Sequence, residues 1–430
     1  MLDLKDELRQ LADDAASQAR PLAVADVIRR ADRRHRRAIT GWRRGSAPAR
    51  GRRWPGWLAP LAAAAAVTAV VAATVIVPSA LHGFGPAGGH RSAAATVYVS
   101  FQSWHGGKFA GTVVPISTAT NRPGKPIRLP YGPPSGMVMV MTPDGKTVYV
   151  TAGQGSIPIS TATNRPGKPI HVDGVLTIDP DGRTAYAVDP LSGTLTPVDL
   201  ATGKPGQPIR LRPVLGAVVF TPDGKTAYVA GMRAVTPIST ATNRPGRPIP
   251  LSGRGYAPRD IAITPDGKTV YAGGLGIITP ISTATNRPGK PIRFSGGGGP
   301  GIAITPDGKT AYVGSGDTVT PISTATNTPG KPIRLGIPAE EIVVTPDGKT
   351  AYVANTEGPI GTVVPISTAT NRPGKPIRLG TYGPMVITPD GKTVYAAGLN
   401  KVVPISTTTN RPGKPIRLPY GRLSGMVTTP

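Results

Sequence analysis

From residue 95 onward, short runs in which apolar and polar residues alternate recur between turns rich in glycine and proline. The phrase TPDGKT or a near copy places an aspartate at positions 144, 181, 223, 266, 307, 347 and 390, which is a repeat of about 41 residues. One unit contains four strand-like runs: GIAITP (301–306), KTAYVGS (309–315), TVTPISTAT (318–326) and KPIRLG (331–336). Four short antiparallel strands in a repeat of this length predict one blade of a β-propeller.

Two kinds of turn separate the strands of each predicted blade. In TPDGKT the proline restricts φ, the aspartate caps the turn and the glycine supplies a positive φ, so we expect a tight hairpin between the first and second strands. In TNRPGKP we expect a Pro-Gly turn between the third and fourth strands. The proline of KPIRL falls on the outermost strand, where the loss of an N–H donor costs least.

The strand count predicts a closed ring. The second strand carries a tyrosine at 98, 149, 186, 228, 271, 312, 352 and 395, and the segment that supplies the third and fourth strands also occurs eight times. The first unit has no first strand before Thr96, whereas segment 425–430 has nothing after it. We therefore expect an all-β propeller of eight four-stranded antiparallel blades over residues 95–430, closed by pairing of its N- and C-terminal strands, with seven blades as the alternative.

The segments TPDGKTVYV and TPDGKTAYVAN, followed by PISTATN, resemble the YVTN-type β-propeller repeats of bacterial and archaeal extracytoplasmic proteins. This resemblance extends over the whole repeat region and implies the propeller fold and an extracytoplasmic location. PRDIAITPDGK also resembles the Pro-Arg-His stretch of the seven-bladed lactonase family, whose members open sugar lactones. Asp260 stands where that pattern has histidine, and no other blade supplies one.

The first ninety-four residues differ in composition from the repeats. Residues 57–81 are uncharged and long enough to cross a bilayer as one helix, and 14 Lys/Arg lie within residues 1–53. The positive flank predicts a cytoplasmic N-terminus and an extracytoplasmic propeller. We expect a short helical basic tail (1–40), an Arg/Gly-rich linker (41–56), a transmembrane signal anchor (57–81) and an extracytoplasmic linker (82–94), with a cleaved signal peptide as the alternative.

The charge balance favours acidic partners. The chain has 49 Lys/Arg against 23 Asp/Glu, a net charge of +26. The recurring PDGK and TNRPGK turns predict a uniform basic face, which we expect to lie toward an anionic membrane surface. We expect the Arg-rich tail to lie near such a surface as well. The other connections vary in sequence, and on that variable face we expect an envelope polymer or a protein partner. Nucleic-acid binding is not expected, because an arginine run beside a membrane span already has an explanation.

The repeats contain few residues of the types that catalyse reactions or bind metal ions. There is no cysteine, and the propeller has only His105 and His171, so we expect no catalytic residue, no metal site and no cofactor. DPDGR (179–183) is interpreted as one more turn of the same kind. The candidate ligand-binding residues are departures from the repeat: Arg259, Asp260, Glu340 and Glu341 at the channel mouth, and Phe101, Trp104, His105, Tyr256 and Tyr382 in connections of the same face.

These observations predict a membrane-anchored extracytoplasmic propeller that acts as a binding or scaffold module. Two alternatives remain. One is a lactonase-type hydrolase that uses charges at the channel mouth, and the other is an envelope sensor that signals through residues 1–40.

Overall fold

The computed structural model describes residues 95–105, 108–130, 137–152, 155–211, 214–251, 258, 260–274, 276–294, 301–355, 361–380 and 383–430. All regular elements in these ranges are β-strands, and they form eight antiparallel blades, which confirms the predicted eight-bladed, all-β propeller. The predicted tail, linkers and membrane helix (1–94) lie outside the described residues. Among the described residues, no helix is long and apolar enough to span a membrane.

The first four blades follow one another along the chain. Blade 1 contains β1 (Thr96–His105), β2 (Lys108–Ser117), β3 (Arg122–Pro123) and β4 (Ile127–Arg128). Blade 2 contains β5 (Val138–Met141), β6 (Thr147–Thr151), β7 (Ser156–Ser160) and β8 (Arg165–Pro166). Blade 3 contains β9 (Val175–Ile178), β10 (Thr184–Asp189), β11 (Thr194–Asp199), β12 (Lys204–Pro205) and β13 (Ile209–Arg210). Blade 4 contains β14 (Val214–Phe220), β15 (Thr226–Gly231), β16 (Ala234–Ser239), β17 (Arg244–Pro245) and β18 (Ile249–Pro250).

The last four blades repeat this order. Blade 5 contains β19 (Asp260–Ile263), β20 (Thr269–Gly274), β21 (Ile277–Ser282), β22 (Arg287–Pro288) and β23 (Ile292–Arg293). Blade 6 contains β24 (Ile302–Ile304), β25 (Thr310–Ser315), β26 (Thr318–Ser323), β27 (Thr328–Pro329) and β28 (Ile333–Arg334). Blade 7 contains β29 (Glu341–Val344), β30 (Thr350–Ala354), β31 (Thr362–Ser367), β32 (Arg372–Pro373) and β33 (Ile377–Arg378). Blade 8 contains β34 (Met385–Ile387), β35 (Thr393–Ser406), β36 (Arg411–Pro412) and β37 (Ile416–Thr428).

The ring is closed by the two ends of the repeat region. The start of β37 pairs with β35 as the outer strand of blade 8, and its end pairs with β1 as the inner strand of blade 1. Val97 lies opposite Thr428, and the backbone N–H of Thr429 donates to the carbonyl of Thr96 at 2.9 Å. The prediction that segment 425–430 completes the first blade is therefore confirmed, and the closure covers the edge of β1 that would otherwise be unpaired.

The hairpin between the first and second strands forms as expected. In blade 2 the Asp144 carboxylate accepts hydrogen bonds from the Thr142 hydroxyl (2.7 Å) and the Lys146 backbone N–H (3.0 Å), while Gly145 adopts φ 69°. The two recurring turns lie at the same end of the blade, because the Thr161 hydroxyl of the outer turn donates to the Gly145 carbonyl at 2.8 Å. This end corresponds to the predicted uniform face.

The prediction of a Pro-Gly turn between the third and fourth strands is wrong. In blade 1 the turn ends earlier, at Asn121, which adopts φ 53° and donates its backbone N–H to Ser117. Pro123 already pairs with β2, and the Gly124 N–H donates to the carbonyl of Pro115 at 2.7 Å. Asparagine tolerates the left-handed conformation, so no glycine is needed to turn the chain, and the prolines instead divide the outer strand into two short pieces.

Each junction between neighbouring blades holds a hydrophobic cluster to which both blades contribute. The buried tyrosine of each second strand reaches across its junction, and seven of the eight donate their hydroxyl to an asparagine of the next blade at 2.5–2.8 Å. The pairs are Tyr98–Asn164, Tyr186–Asn243, Tyr228–Asn286, Tyr271–Asn327, Tyr312–Asn371, Tyr352–Asn410 and Tyr395–Asn121. At the junction of blades 2 and 3, Gly203 takes the place of the asparagine opposite Tyr149.

Candidate functional site

Two regions of the propeller carry charged side chains that distinguish them from the packed core. They are the start of the inner strands and the outer strands. One structurally equivalent position lies at or near the start of the inner strand in every blade, four residues before the threonine of the TPDG turn or its counterpart. This position is occupied by Val138, Val175, Ala217, Asp260, Gly301, Glu341, Pro384 and Gly425. The two carboxylates therefore flank Gly301 on blades 5 and 7, at the channel mouth that the sequence singled out.

Asp260 connects blade 5 to blade 6. One carboxylate oxygen accepts the backbone N–H of Ile261 at 2.8 Å, and the other accepts the N–H of Ile302 at 2.9 Å. Ile302 begins the inner strand of the next blade, where its N–H has no partner in its own hairpin. Burial raises the pKa of Asp260 to about 7, although the two N–H donors favour its charged form.

Glu341 repeats this arrangement between blades 7 and 8. Its two carboxylate oxygens lie 3.0 and 3.2 Å from the backbone N–H of Met385, the first residue of β34. Burial raises the pKa of Glu341 to about 8, against the opposing effect of the Met385 N–H. Both carboxylates thus cap the inner strand of a neighbouring blade, and this contact gives each of them a structural task.

The other predicted channel-mouth residue in the described part is Glu340. It is partly buried, its backbone N–H donates to the Ala354 carbonyl at 3.2 Å, and its own carbonyl lies against Gly301. A Cβ on Gly301 would lie 2.6 Å from that carbonyl oxygen, so only glycine permits blades 6 and 7 to approach this closely. Arg259, Tyr256 and Tyr382 lie outside the described residues.

The aromatic segment predicted as a loop forms the hairpin of β1 and β2. Trp104 lies opposite Phe109 and His105 lies opposite Lys108 in this ladder. Phe101 is fully buried in the cluster between blades 8 and 1. Its position follows Val97 and Val99 at alternate residues of one strand, which is the signal in the sequence that indicates burial.

Sequence reasoning missed one buried acid. Asp179 stands where most blades have threonine in TPDGK, and it is 4% exposed. Burial raises its pKa to about 6, while the Asp181 N–H, which donates to it at 3.2 Å, favours the charged form. Among the described residues, no group of three or more histidines, cysteines or acids is placed to hold a metal ion.

The outer strands carry most of the positive charge of the propeller. We call β3, β4 and their equivalents, with the residues between them, the rim. Its Lys and Arg side chains are all exposed: Arg122, Lys125, Arg128, Arg165, Lys168, Lys204, Arg210, Arg244, Arg247, Arg287, Lys290, Arg293, Lys331, Arg334, Arg372, Lys375, Arg378, Arg411, Lys414 and Arg417. The rim pieces themselves contain no acid, and the acids nearest to them in sequence are Asp173, two residues after His171 of blade 2, and Asp199 at the start of the blade 3 turn.

The lysines of the PDGK turns are a different population. Lys146, Lys225, Lys268, Lys309, Lys349 and Lys392, which we call the turn lysines, each form an ion pair with the aspartate two residues before, at 3.2–3.8 Å. Within the described ranges, no ion pair involves a rim residue. The uniform end of the propeller is therefore close to neutral at its PDGK turns, and the uncompensated positive charge lies on the rim.

A groove opens on the rim between blades 1 and 2. Its volume is about 480 Å³, and its walls are Pro115 and residues 124–128 of blade 1, and Thr163, Asn164 and Pro166 of blade 2. The groove is shaped by the junction: the Tyr98 hydroxyl holds the Asn164 side chain at 2.7 Å, and Pro115 packs under Gly124. Basic side chains on one wall face a neutral polar wall, an arrangement suited to an anionic group.

Comparisons with known proteins identify the architecture. No protein-family model matches the chain, and no curated protein is detectably similar in sequence. Among solved structures, the dihydro-heme d1 dehydrogenase NirN in complex with DHE superposes with a TM-score of 0.64 at 16% identity, over 89% of this chain and 83% of that chain. Hydrazine synthase of Kuenenia stuttgartiensis superposes with a TM-score of 0.51 at 21% identity, over 67% of this chain and 96% of that chain. At these identities the likeness shows the fold alone.

Proposed function

We propose that the protein is a binding propeller that holds an acidic polymer on its basic rim and performs no catalysis. The observation that carries this proposal is the set of twenty exposed rim cations without acidic partners among the described residues. A surface of one sign and this extent concentrates ligands of the opposite sign.

The distribution of the rim cations favours a linear polymer. They occur on every blade and therefore surround the propeller. A flat membrane touches only one side or one end of such a ring at a time, whereas a flexible chain contacts many blades at once. Each additional contact is made within one bound molecule, which raises the overall affinity without any single strong site.

The proposal also includes the location of the protein in the cell. We propose that residues 57–81 anchor it in a membrane and that the propeller, as a member of the YVTN-type repeat proteins, lies outside the cytoplasm. The uncharged segment, the basic residues before it and the repeat sequences quoted above support this. An acidic polymer of the cell envelope is then the partner within reach.

A lactonase-type hydrolase is the second candidate. It is favoured by two carboxyls at the channel mouth whose pKa values burial raises to about 7 and 8, a range suited to proton transfer near neutral pH. Against it stands the geometry of Asp260 and Glu341, because their oxygens already accept backbone N–H groups of the next blade. Turnover of a sugar lactone that is lost on replacing Glu341 by Gln would establish this candidate instead.

Two variants with equal charge test the binding proposal in the full-length protein. In the first, the rim lysines Lys125, Lys168, Lys290, Lys331, Lys375 and Lys414 become Gln; in the second, the six turn lysines become Gln. Both variants lose six positive charges and keep the basic N-terminal segment, so they differ only in where the charge was removed. Binding of fluorescent long-chain polyphosphate is then measured over a range of salt concentrations.

We expect the rim variant to bind at least about tenfold more weakly at physiological salt and to show a shallower salt dependence, since each lost phosphate contact reduces the slope of log K against log salt by about 0.7. The turn variant should bind nearly as well as the wild type. Equal losses in the two variants would show that net charge alone governs binding, and absence of binding by the wild type would refute the proposal.

A further inference from the structure

The outer ends of the junctions between neighbouring blades do not all carry the same side chains, and this inference rests on the proposed function. We propose that each anionic group of a linear polymer binds in a groove between two blades, and that the complete grooves form an open arc of five consecutive junctions, from blade 5 round to blade 2. The three remaining junctions, which border blades 3 and 4, form a gap in the series.

The groove between blades 1 and 2 shows how such a subsite is built. Lys125 and Arg128 lie on one wall, and both side chains are exposed, so their ammonium and guanidinium groups are available to a ligand in the groove. On the other wall the side-chain oxygen of Asn164 accepts the Tyr98 hydroxyl, which leaves its amide NH2 as the polar group that can meet a ligand. All three side chains are then donors, and a phosphate or carboxylate group supplies the matching acceptors.

The asparagine is held in place by its own backbone. Asn164 adopts φ 53°, and its backbone N–H donates to the carbonyl of Ser160 at 2.8 Å. The turn therefore fixes the side chain before any ligand arrives, and the tyrosine fixes which end of the amide points away from the junction. A donor that is already positioned loses little entropy on binding.

Five junctions repeat this set of three donors. Each has a lysine and an arginine on the first blade and an asparagine on the second: Lys125, Arg128 and Asn164; Lys290, Arg293 and Asn327; Lys331, Arg334 and Asn371; Lys375, Arg378 and Asn410; Lys414, Arg417 and Asn121. In every set a tyrosine hydroxyl occupies the asparagine oxygen. These junctions are 5–6, 6–7, 7–8, 8–1 and 1–2, and none between them is missing.

The other three junctions each lack at least one member of the set. Between blades 2 and 3, Gly203 replaces the asparagine and His171 replaces the arginine; between blades 3 and 4, Gln207 replaces the lysine. Between blades 4 and 5, Pro250 replaces the arginine, although Arg247 keeps the charge of the lysine position. Blade 3 also carries Asp199 at the start of its outer turn, so the gap is less favourable to an anion in charge as well as in donors.

The test replaces the amide donor without disturbing the junction. In the arc variant Asn371 and Asn410 become Asp, and in the matched gap variant Asn243 and Asn286 become Asp. Aspartate keeps the shape, accepts the tyrosine hydroxyl and tolerates a positive φ, but it presents an oxygen where the amide NH2 was. In both variants the net positive charge falls by two, so any difference in affinity between them depends on which junctions were changed.

We expect the arc variant of the full-length protein to bind polyphosphate at least about tenfold more weakly, because a donor at each of two subsites becomes a repelling acceptor. The gap variant should lose less than about threefold, and both should melt at the temperature of the wild type. If the arc and gap variants lost affinity equally while the rim variant described above still bound polyphosphate poorly, the arc would be overturned. The proposal that the rim binds the polymer would then still stand.

A variant with added groups provides the opposite test. Gly203→Asn, Gln207→Lys and Pro250→Arg together restore the missing donors at the three gap junctions, apart from His171. We expect this variant to bind long polyphosphate more tightly than the wild type but to bind a chain short enough for the arc with unchanged affinity. An equal gain in affinity for both chain lengths would contradict the arc. Binding of the wild type to phosphatidylglycerol vesicles without binding to polyphosphate would identify a membrane surface as the ligand instead.

Discussion

The tyrosine–asparagine bonds between blades allow a quantitative prediction with a control built into the chain. The Tyr228 hydroxyl donates to the Asn286 side chain at 2.8 Å, and its ring is buried at the junction of blades 4 and 5. Replacing Tyr228 by Phe keeps the ring and removes only the hydroxyl. Asn286 is exposed, so water can replace the lost donor, and we expect a loss of about 1 kcal/mol, within the usual range for one hydrogen bond.

The control is Tyr149→Phe. Tyr149 is equally part of a second strand and is 5% exposed, but Gly203 stands where its asparagine would be. This substitution should cost nothing, because the hydroxyl has no asparagine to bond. Conversely, Gly203→Asn should stabilise the protein by about as much as Tyr228→Phe destabilises it, since φ 66° suits asparagine and an added Cβ would meet Ile170 only at 3.5 Å.

Urea unfolding monitored by circular dichroism gives the free energies, provided that the transition has one step in all variants. Combining Tyr228→Phe with Asn286→Ala in a double-mutant cycle isolates the contribution of the bond from that of each side chain. If Tyr149→Phe were as costly as Tyr228→Phe, or if the cycle showed no coupling, the bonds would not brace the junctions.

Two further predictions concern the inner strands. Stability should fall as pH rises from about 4 to about 8, because the carboxyls of Asp179, Asp260 and Glu341, with pKa values raised by burial to about 6, 7 and 8, bind protons more tightly in the folded chain. Asp260→Asn should flatten this decline in a melting series, and an unchanged profile would contradict it. Gly301→Ala should cost about 1–3 kcal/mol in urea unfolding through its clash with the Glu340 carbonyl, and wild-type stability would refute that close approach.

The ring and its closure could be predicted because both depend on counting local patterns. The tyrosine of the second strand and the PDGK turn mark every blade, and the incomplete phrase at 425–430 matches the strand missing before Thr96. The outer turn was mispredicted because Pro-Gly is a strong turn signal, whereas Asn121 had already reversed the chain at a positive φ. Both the asparagine and the Pro-Gly pair favour turns. The asparagine comes first along the chain, and it determined where the chain reverses.

The candidate site could be predicted only in part, since it is formed between blades. Asp260 and Glu341 were recognised as departures from the repeat, but their bonds to Ile302 and Met385 join residues more than forty positions apart. The tyrosine–asparagine bonds likewise connect residues on different blades. The sequence did contain one unused signal, because each turn lysine follows an aspartate by two residues, whereas rim lysines such as Lys125 do not.

The most direct test of the central claim locates a bound polymer on the surface. The full-length protein is acetylated with an amine-reactive reagent in the presence and absence of saturating polyphosphate, and each lysine is followed by mass spectrometry. Lys375 and Lys414 on the rim should be modified more slowly when the polymer is bound, whereas the turn lysines Lys349 and Lys392 should react at unchanged rates. Equal protection of rim and turn lysines, or protection of the turn lysines alone, would contradict the account.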